Sequence, residues 1–208
     1  TIYFGLIALK GIMFMRIEEI AISNFRGIKN QTIVFDGKST VFFGVNGTGK
    51  STILRAINVM FSRIVQKIVQ SRYKQTINMT KADIRFAESK ASIEVEISLA
   101  NTNKKIKYKR SLEKKMNRLS YSQDSLNEIA ELFEELYLSN EKANMPIFVN
   151  YGVHRVVLDI PLRIKRNHSF DKIAAFEKAI ESKIDFRTFF EWFRNQEDYE
   201  NEIKVNEN

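Results

Sequence analysis

Residues 41–52 read Val41-Phe42-Phe43-Gly44-Val45-Asn46-Gly47-Thr48-Gly49-Lys50-Ser51-Thr52. Three apolar residues lead into Gly-x-x-x-x-Gly-Lys-Ser and helical spacing follows, so the order is strand, glycine loop, helix. That is the context a phosphate-binding P-loop requires. Gly44, Gly47 and Gly49 reach backbone conformations closed to other residues and let the main chain approach an anion. The amides of Asn46, Gly47, Thr48, Gly49, Lys50 and Ser51, with Thr52 closing the stretch, are expected to converge on phosphates at the positive end of the helix dipole. Lys50 then reaches the β- and γ-phosphates as the catalytic charge, and the Ser51 hydroxyl completes a Mg²⁺ shell. A chance match arises in roughly one chain in a hundred of this length at ordinary glycine content. With eight glycines in 208 residues and flanks that also fit, the stretch reads as a nucleoside-triphosphate site.

A chain of 208 residues is long enough for one domain with a proper core, or for a piece of a larger one. Hydrophobic content of 44% with 28% charged residues describes a globular protein rather than a disordered one. The absence of cysteine excludes disulfides, thiolate zinc sites and cysteine nucleophiles, and fits a reducing cytoplasm. A net charge of +8 permits a polyanionic partner without demanding one. The apolar run Ile2 to Leu9 is too short to span a bilayer and lacks the marks of a signal peptide, so no membrane association is expected. Residues 1–15 are expected to be a non-native or disordered leader, with Met13 or Met15 as the natural start.

Working outward, Arg16 to Ser23 alternates as a strand, and Asn24 to Asn30 follows as a turn in which Gly27 is free to take positive φ. Thr32 to Phe35 is a second strand, Asp36-Gly37-Lys38 a tight hairpin turn, and Ser39 to Phe43 the strand feeding the loop. Beyond the loop, Ile53, Ile57, Met60, Phe61, Ile64 and Ile68 form a helical stripe that packs on the sheet. Residues 72–90 are polar and carry no clear period. Ile93 to Ile97 is a strand, residues 101–103 a turn, and Ile106 to Lys109 the return strand. Residues 104–118 hold eight Lys/Arg against one acid, Glu113. This run is either a phosphate-backbone contact surface with Tyr108 interleaved, or an edge strand protected by lysines, the reading preferred here.

Ser125 and Glu128 have capping-box spacing ahead of an apolar helical face of Leu126, Ile129, Ala130, Phe133, Leu136 and Tyr137. Glu131, Glu134 and Glu135 lie on its solvated side, and no metal site is read there. Met145 to Tyr151 is expected as a buried strand. Asp159 follows apolar residues but lacks a second acid, and Pro161 argues against a central strand. Ser169 to Asn208 reads as two helices, the second carrying Phe186, Phe189, Phe190 and Phe193 beside Trp192.

The succession Ile22-Ser23-Asn24-Phe25-Arg26-Gly27-Ile28, a strand ending Val34-Phe35, and the loop from Phe43 to Thr52 resembles the start of the SMC/RecF-like branch of ABC-type ATPases. The resemblance implies an α/β P-loop NTPase fold: an ABC-type head whose N-terminal lobe carries an antiparallel β layer, the P-loop strand–helix unit and a helical C-terminal part, with an incomplete sheet. It implies ATP with Mg²⁺ as ligands and brings Asn24 and Arg26 to the nucleotide, although a solvated turn arginine is the plainer reading of Arg26. Asn46 matches the Asn-Gly usual in that branch's loop. Leu158-Asp159-Ile160-Pro161-Leu162-Arg163-Ile164, with Phe189 to Arg194 and Glu197 to Asn201, is similar to bacterial AAA-type ATP-binding proteins of Septu-type antiphage systems and of the virulence-associated group. His154 stands where that group is expected to have asparagine. The implied domain runs over 16–204, with a strand-pair and helix insertion at 72–145, a helical part at 169–204 and a tail at 205–208.

ABC-type hydrolysis also requires a Leu-Ser-x-Gly signature, a Walker B strand ending Asp-Glu and a switch histidine, and none has a match in these residues. The chain is therefore expected to be the N-terminal half of an ATPase, inactive alone. Its implied partners are a second ATPase head (a homodimer, or its own C-terminal half plus a dimer mate), a nuclease, and DNA. Two alternatives stand beside this reading: a small P-loop kinase or GTPase, and a nucleic-acid-binding module with a vestigial P-loop.

Overall fold

A computed structural model of the chain describes residues 2–4, 15–69, 76–99, 102–139, 148–150 and 192–197. Strands β1 (Ile2–Phe4), β2 (Met15–Phe25), β3 (Ile28–Val34) and β4 (Thr40–Phe42) precede helix α1 (Lys50–Val69). A 3₁₀ turn at Lys81–Asp83 leads to β5 (Lys90–Leu99), β6 (Thr102–Glu113), β7 (Arg118–Tyr121) and helix α2 (Gln123–Ser139). Five strands form one antiparallel sheet in the order β3-β2-β5-β6-β7, and β1 pairs antiparallel with β4 in a second sheet. Among the described residues, no helix is long and apolar enough to cross a membrane.

Period-2 patterning builds the sheet. Ala91, Ile93, Val95 and Ile97 on β5, and Ile106, Tyr108, Arg110 and Leu112 on β6, point to the buried face. On β2 the alternation is broken twice. A register shift between Ile17 and Glu19 moves the buried set from Met15 to Ile20 and Ile22. Asn24, at φ +51, then returns it to Phe25, which is fully buried. Helix α1 lays Ile53, Ala56, Ile57, Met60, Ile64 and Val65 into the core against β2, β5 and β6, and Leu126, Ile129 and Phe133 of α2 pack beside it.

Several sequence expectations require correction. Asp36-Gly37-Lys38 does not close a hairpin: β3 pairs with β2 while β4 pairs with β1, so the segment carries the chain from one sheet to the other. Asp36 Oδ1 accepts from the Lys38 amide at 3.0 Å, and Gly37 at φ +77 lies so close to Arg16 that a Cβ there would sit 2.8 Å from its side chain. Such a turn can reverse the chain without pairing its flanks.

Part of the 1–15 leader also has structure. Ile2–Phe4 pairs with β4 in the register Ile2↔Phe42, and Met15 begins β2, because the backbone of β4 offers an edge. In the β2–β3 turn the positive φ falls on Arg26 (+52) rather than Gly27. Helix α2 starts at Gln123, before the expected Ser125 cap. The Ser122 carbonyl accepts from Leu126 N, and the Ser122 hydroxyl accepts from the Lys109 amide of β6.

Strand β7 pairs only with Arg110 to Glu113 of β6, so Lys104, Lys105, Lys107 and Lys109 lie on the stretch of β6 that β7 leaves open, as the edge reading expects. Lys105 and Lys107 pair with Glu96, Lys109 with Glu94, and Lys104 with Glu128. Cross-strand attraction to the acids of β5 acts beside that edge protection.

The chain divides into two compact units, Thr1–Ile147 and Phe148–Asn208, where one domain over 16–204 is expected from sequence. In the second unit, residues 148–150 have no strand assignment and Val149 is exposed, contrary to the buried strand expected there. Residues 192–197 are helical, with Trp192 and Phe193 each 45% exposed. His154, Arg155, Asp159 and most of the expected tail helices lie outside the described residues.

Candidate nucleotide site

The glycine loop leaves β4 at Phe42 and enters α1 at Lys50. Gly47 and Gly49 take φ +89 and +97, where a Cβ is strained, so the loop folds back with glycine at both positions. Lys50 Nζ donates to the carbonyls of Gly44 at 2.8 Å and Val45 at 2.7 Å, and Thr48 Oγ1 donates to the same Val45 carbonyl at 2.9 Å. Carbonyls are thus drawn to the lysine and hydroxyl. Beyond Gly44, among the described residues, the first backbone amide to find a carbonyl is that of Ile53, bonded to Gly49 O at 3.0 Å. The amides before it are donors without backbone acceptors at the helix N-terminus. Ser51 is exposed and its hydroxyl has no hydrogen-bond partner among the described residues; Asn46 is exposed and Thr52 half-buried.

The β2–β3 turn abuts this loop. A Cβ at Gly49 would lie 3.8 Å from Ile28, ordinary contact distance. The turn is anchored from below by the segment after α1. Arg26 N donates to Asp83 O at 2.7 Å, Arg85 N to Asn24 O at 2.8 Å, and Phe25 bridges Ile84. Asn24 Nδ2 donates to Glu88 Oε2 at 3.4 Å, so its side chain is bonded to the anchoring segment.

Asp83, 1% exposed, is the hub. Its Oδ1 accepts from Arg26 Nε at 2.7 Å and Arg55 Nε at 2.9 Å. Its Oδ2 accepts from Arg55 Nη2 at 2.7 Å, from Thr80 N at 3.0 Å and from Thr80 Oγ1 at 3.1 Å. Burial by itself would raise the Asp83 pKa, but the hydrogen bonds from Arg55, Arg26 and Thr80 outweigh it and hold the carboxyl well below its ordinary range. Asp83 is therefore a carboxylate with two guanidinium partners, and the cluster keeps a net positive charge beside the loop.

Sequence reasoning thus placed the loop residues and Arg26 in one neighbourhood, and missed Asp83, Arg55 and Thr80. The signal available was Thr80-x-x-Asp83, a capping-box spacing in a stretch without hydrophobic period. Tyr108, interleaved in the phosphate-contact alternative for residues 104–118, is fully buried, with no hydrogen-bond partner for its hydroxyl among the described residues. Burial pushes its pKa up to about 12. A cleft lined by Arg16, Phe35, Lys38 and Phe42 has room for little beyond a solvent molecule, about 40 Å³, and no glycine-loop residue lines it.

A strand, a glycine loop whose lysine folds onto the loop carbonyls, and an exposed hydroxyl one residue later define a P-loop nucleotide-binding head. The chain belongs to the AAA domain family, whose model matches residues 19–208. This agrees with the resemblance to AAA-type ATP-binding proteins carried by the sequence motifs.

It is 26% identical over 196 residues to the Retron Ec83 probable ATPase of Escherichia coli, covering 90% of this chain and 36% of that protein. It is 23% identical over 207 residues to the Retron Vc95 probable ATPase of Vibrio cholerae serotype O1 biovar El Tor, covering 93% and 40%. The chain thus spans about two-fifths of the length of these relatives.

Among solved structures it is similar to an SMC ATPase described for ATP-driven dimerization and DNA-stimulated activation, with TM-score 0.41 and 19% identity over 62% of this chain and 84% of that one. It is also similar to the recombination mediator RecF with ATP, with TM-score 0.40 and 18% identity over 55% and 28%.

Proposed function

We propose that this chain binds ATP with Mg²⁺ at residues 44–52, as the nucleotide-binding part of an ATPase head that works by dimerisation. The observation that carries the reading is the loop itself: Lys50 Nζ lies on the Gly44 and Val45 carbonyls while the amides before Ile53 are without backbone acceptors. Amides of that kind at a helix N-terminus favour an anion, and the ammonium adds a mobile charge. In this reading the Lys50 ammonium exchanges its loop carbonyls for the β- and γ-phosphate oxygens. Ser51 is the residue that would hold Mg²⁺, since its hydroxyl is exposed and unbonded; the ion, when bound, bridges and neutralises phosphate oxygens. Asn46 and Thr48 shape the loop, Arg26 adds positive charge from the neighbouring turn, and Asn24 holds that turn to Glu88.

Turnover is a further step. Phosphoryl transfer depends on positioned water and on charge supplied around the γ-phosphate, and a P-loop contributes part of both. With no Walker B or signature sequence in these 208 residues, the chain alone is expected to bind and barely hydrolyse. A second head, either in a homodimer or as the protein's own C-terminal half plus a dimer mate, supplies the rest. The resemblance of the sequence motifs to Septu-type antiphage proteins motivates a cytoplasmic role in antiphage defence, with a nuclease or DNA as the object acted on, and the relatives named as retron probable ATPases support the ATPase part of that reading.

The competing nucleic-acid reading of residues 104–118 lost its main supports, since Tyr108 is buried and the lysines of β6 face glutamates. Calorimetry tests the proposal: Mg²⁺–ATP binds the purified chain and Lys50→Ala abolishes the heat. Binding that survives Lys50→Ala, or an absence of binding by a folded wild type, overturns it.

A further inference from the structure

We propose that Asp83 is a positioning residue that aims the Arg26 guanidinium at the nucleotide phosphates, with Arg55 holding Asp83 in register with the P-loop helix. The inference rests on the nucleotide-binding reading of residues 44–52 and adds a residue outside the motif. Arg26 gives its Nε to Asp83 Oδ1 at 2.7 Å, while its two terminal nitrogens have no partner among the described residues and the side chain is 41% exposed. A guanidinium gripped at Nε keeps its outer edge, with four N–H donors, for a second acceptor in a fixed plane.

The direction of that edge is constrained from both sides. The turn carrying Arg26 lies against the loop through Ile28 and Gly49, and its backbone is bonded to Asp83 O and, through Asn24, to Arg85 N. Arg55, five residues after Lys50 on α1, takes the same carboxylate with Nε and Nη2. One buried acid thereby references the turn to the helix that begins at the anion site. If charge near the loop were all that mattered, neither a buried carboxylate beside Arg26 nor an Nε contact would be needed, because the acid cancels part of that charge. Orientation is what the arrangement supplies.

A double-mutant cycle on Mg²⁺–ATP affinity tests it, using the full chain below the melting temperature of every variant. Arg26→Ala and Asp83→Asn each weaken binding about tenfold to a hundredfold, the range for loss of one charge-assisted contact. The double variant is no weaker than Arg26→Ala. A merely structural Asp83 predicts a further loss on the Arg26→Ala background, and that result overturns the proposal.

Arg26→Lys, which leaves the Asp83–Arg55 pair in place, supplies a second arm should Asp83→Asn fail to fold. It keeps the charge but cannot be gripped at Nε and contact phosphate in the same plane. It loses binding nearly as far as Arg26→Ala; retention of wild-type affinity overturns the proposal. Wild-type binding unaffected by Lys50→Ala would instead overturn the P-loop reading, and this inference with it.

Discussion

Arg55 and Asp83 meet fork to fork: Nε reaches Oδ1 at 2.9 Å and Nη2 reaches Oδ2 at 2.7 Å. The pair joins the second turn of the P-loop helix to a 3₁₀ turn 28 residues later, and Asp83 is 1% exposed while Arg55 is 28% exposed. Bidentate geometry with a third donor from Arg26 and two from Thr80 satisfies the carboxylate, which burial would otherwise penalise.

Removing the hub should be costly. Asp83→Ala leaves two guanidinium groups beside an apolar methyl. Breaking a buried pair costs about 3–5 kcal/mol, and the partial exposure of both arginines brings the expected loss to about 2–3 kcal/mol. Urea unfolding monitored by circular dichroism measures it. A loss below about 0.5 kcal/mol, the scale of an ordinary surface substitution, contradicts the assignment.

Acid should release the same clamp. The folded carboxyl is held below its unfolded value, so in that window the unfolded state binds more protons and stability rises with pH. The contribution is whole above about pH 4 and falls as pH drops toward the folded value. Stability measured by urea from pH 7 to pH 3 should therefore decline more steeply in wild type than in Asp83→Asn. Equal slopes below pH 4 would be inconsistent with a depressed Asp83.

Arg110 supplies a different kind of tie. It is 2% exposed on β6 and donates to the carbonyls of Val59 in α1 and of Ile77, the latter at 3.3 Å, and to Asn78 Oδ1 at 2.6 Å. Burial lowers its pKa, though a guanidinium stays protonated near neutrality. Arg110→Met keeps the aliphatic bulk but removes the charge-assisted donors, while the Ser62 hydroxyl still reaches the Val59 and Ile77 carbonyls and Asn78 is exposed, so the expected cost is about 1–3 kcal/mol. Thermal unfolding of the variant checks it, and an unchanged midpoint would rule the tie out as a source of stability.

Two glycines should respond oppositely to alanine. Gly47 has open space around it but φ +89, so Gly47→Ala costs about 1–2 kcal/mol of backbone strain and weakens nucleotide binding. Gly27 also has open space and no positive φ, so Gly27→Ala is neutral or stabilises by up to about 1 kcal/mol through the unfolded state. Melting curves and nucleotide titrations of both variants decide. Similar losses at the two sites would refute the assignment of the turn's positive φ to Arg26.

Contiguous signals were legible in the sequence. The apolar run into glycines and Lys50-Ser51, the stripe from Ile53 to Ile64, and the alternation through Ile93 to Ile97 are statements about neighbours along the chain. Local backbone preference and side-chain period determine them. The β5–β6 hairpin was also readable because its strands follow closely along the chain, although both run longer than the sequence pattern indicated.

Tertiary structure alone decided which groups separated along the chain share a proton, a carbonyl or an edge. It brought Arg26, Arg55 and Thr80 to Asp83, turned Tyr108 and Arg110 inward from a run that reads as uniformly basic, and sent β4 to β1 rather than β3. The physical reason is that a charged residue in isolation prefers water on any element, so its sequence signature is the same whether it ends solvated or buried. Burial becomes favourable once the fold delivers its partners, and the spacing between those partners, 28 residues for Arg55 and 57 for Arg26, carries no periodic trace.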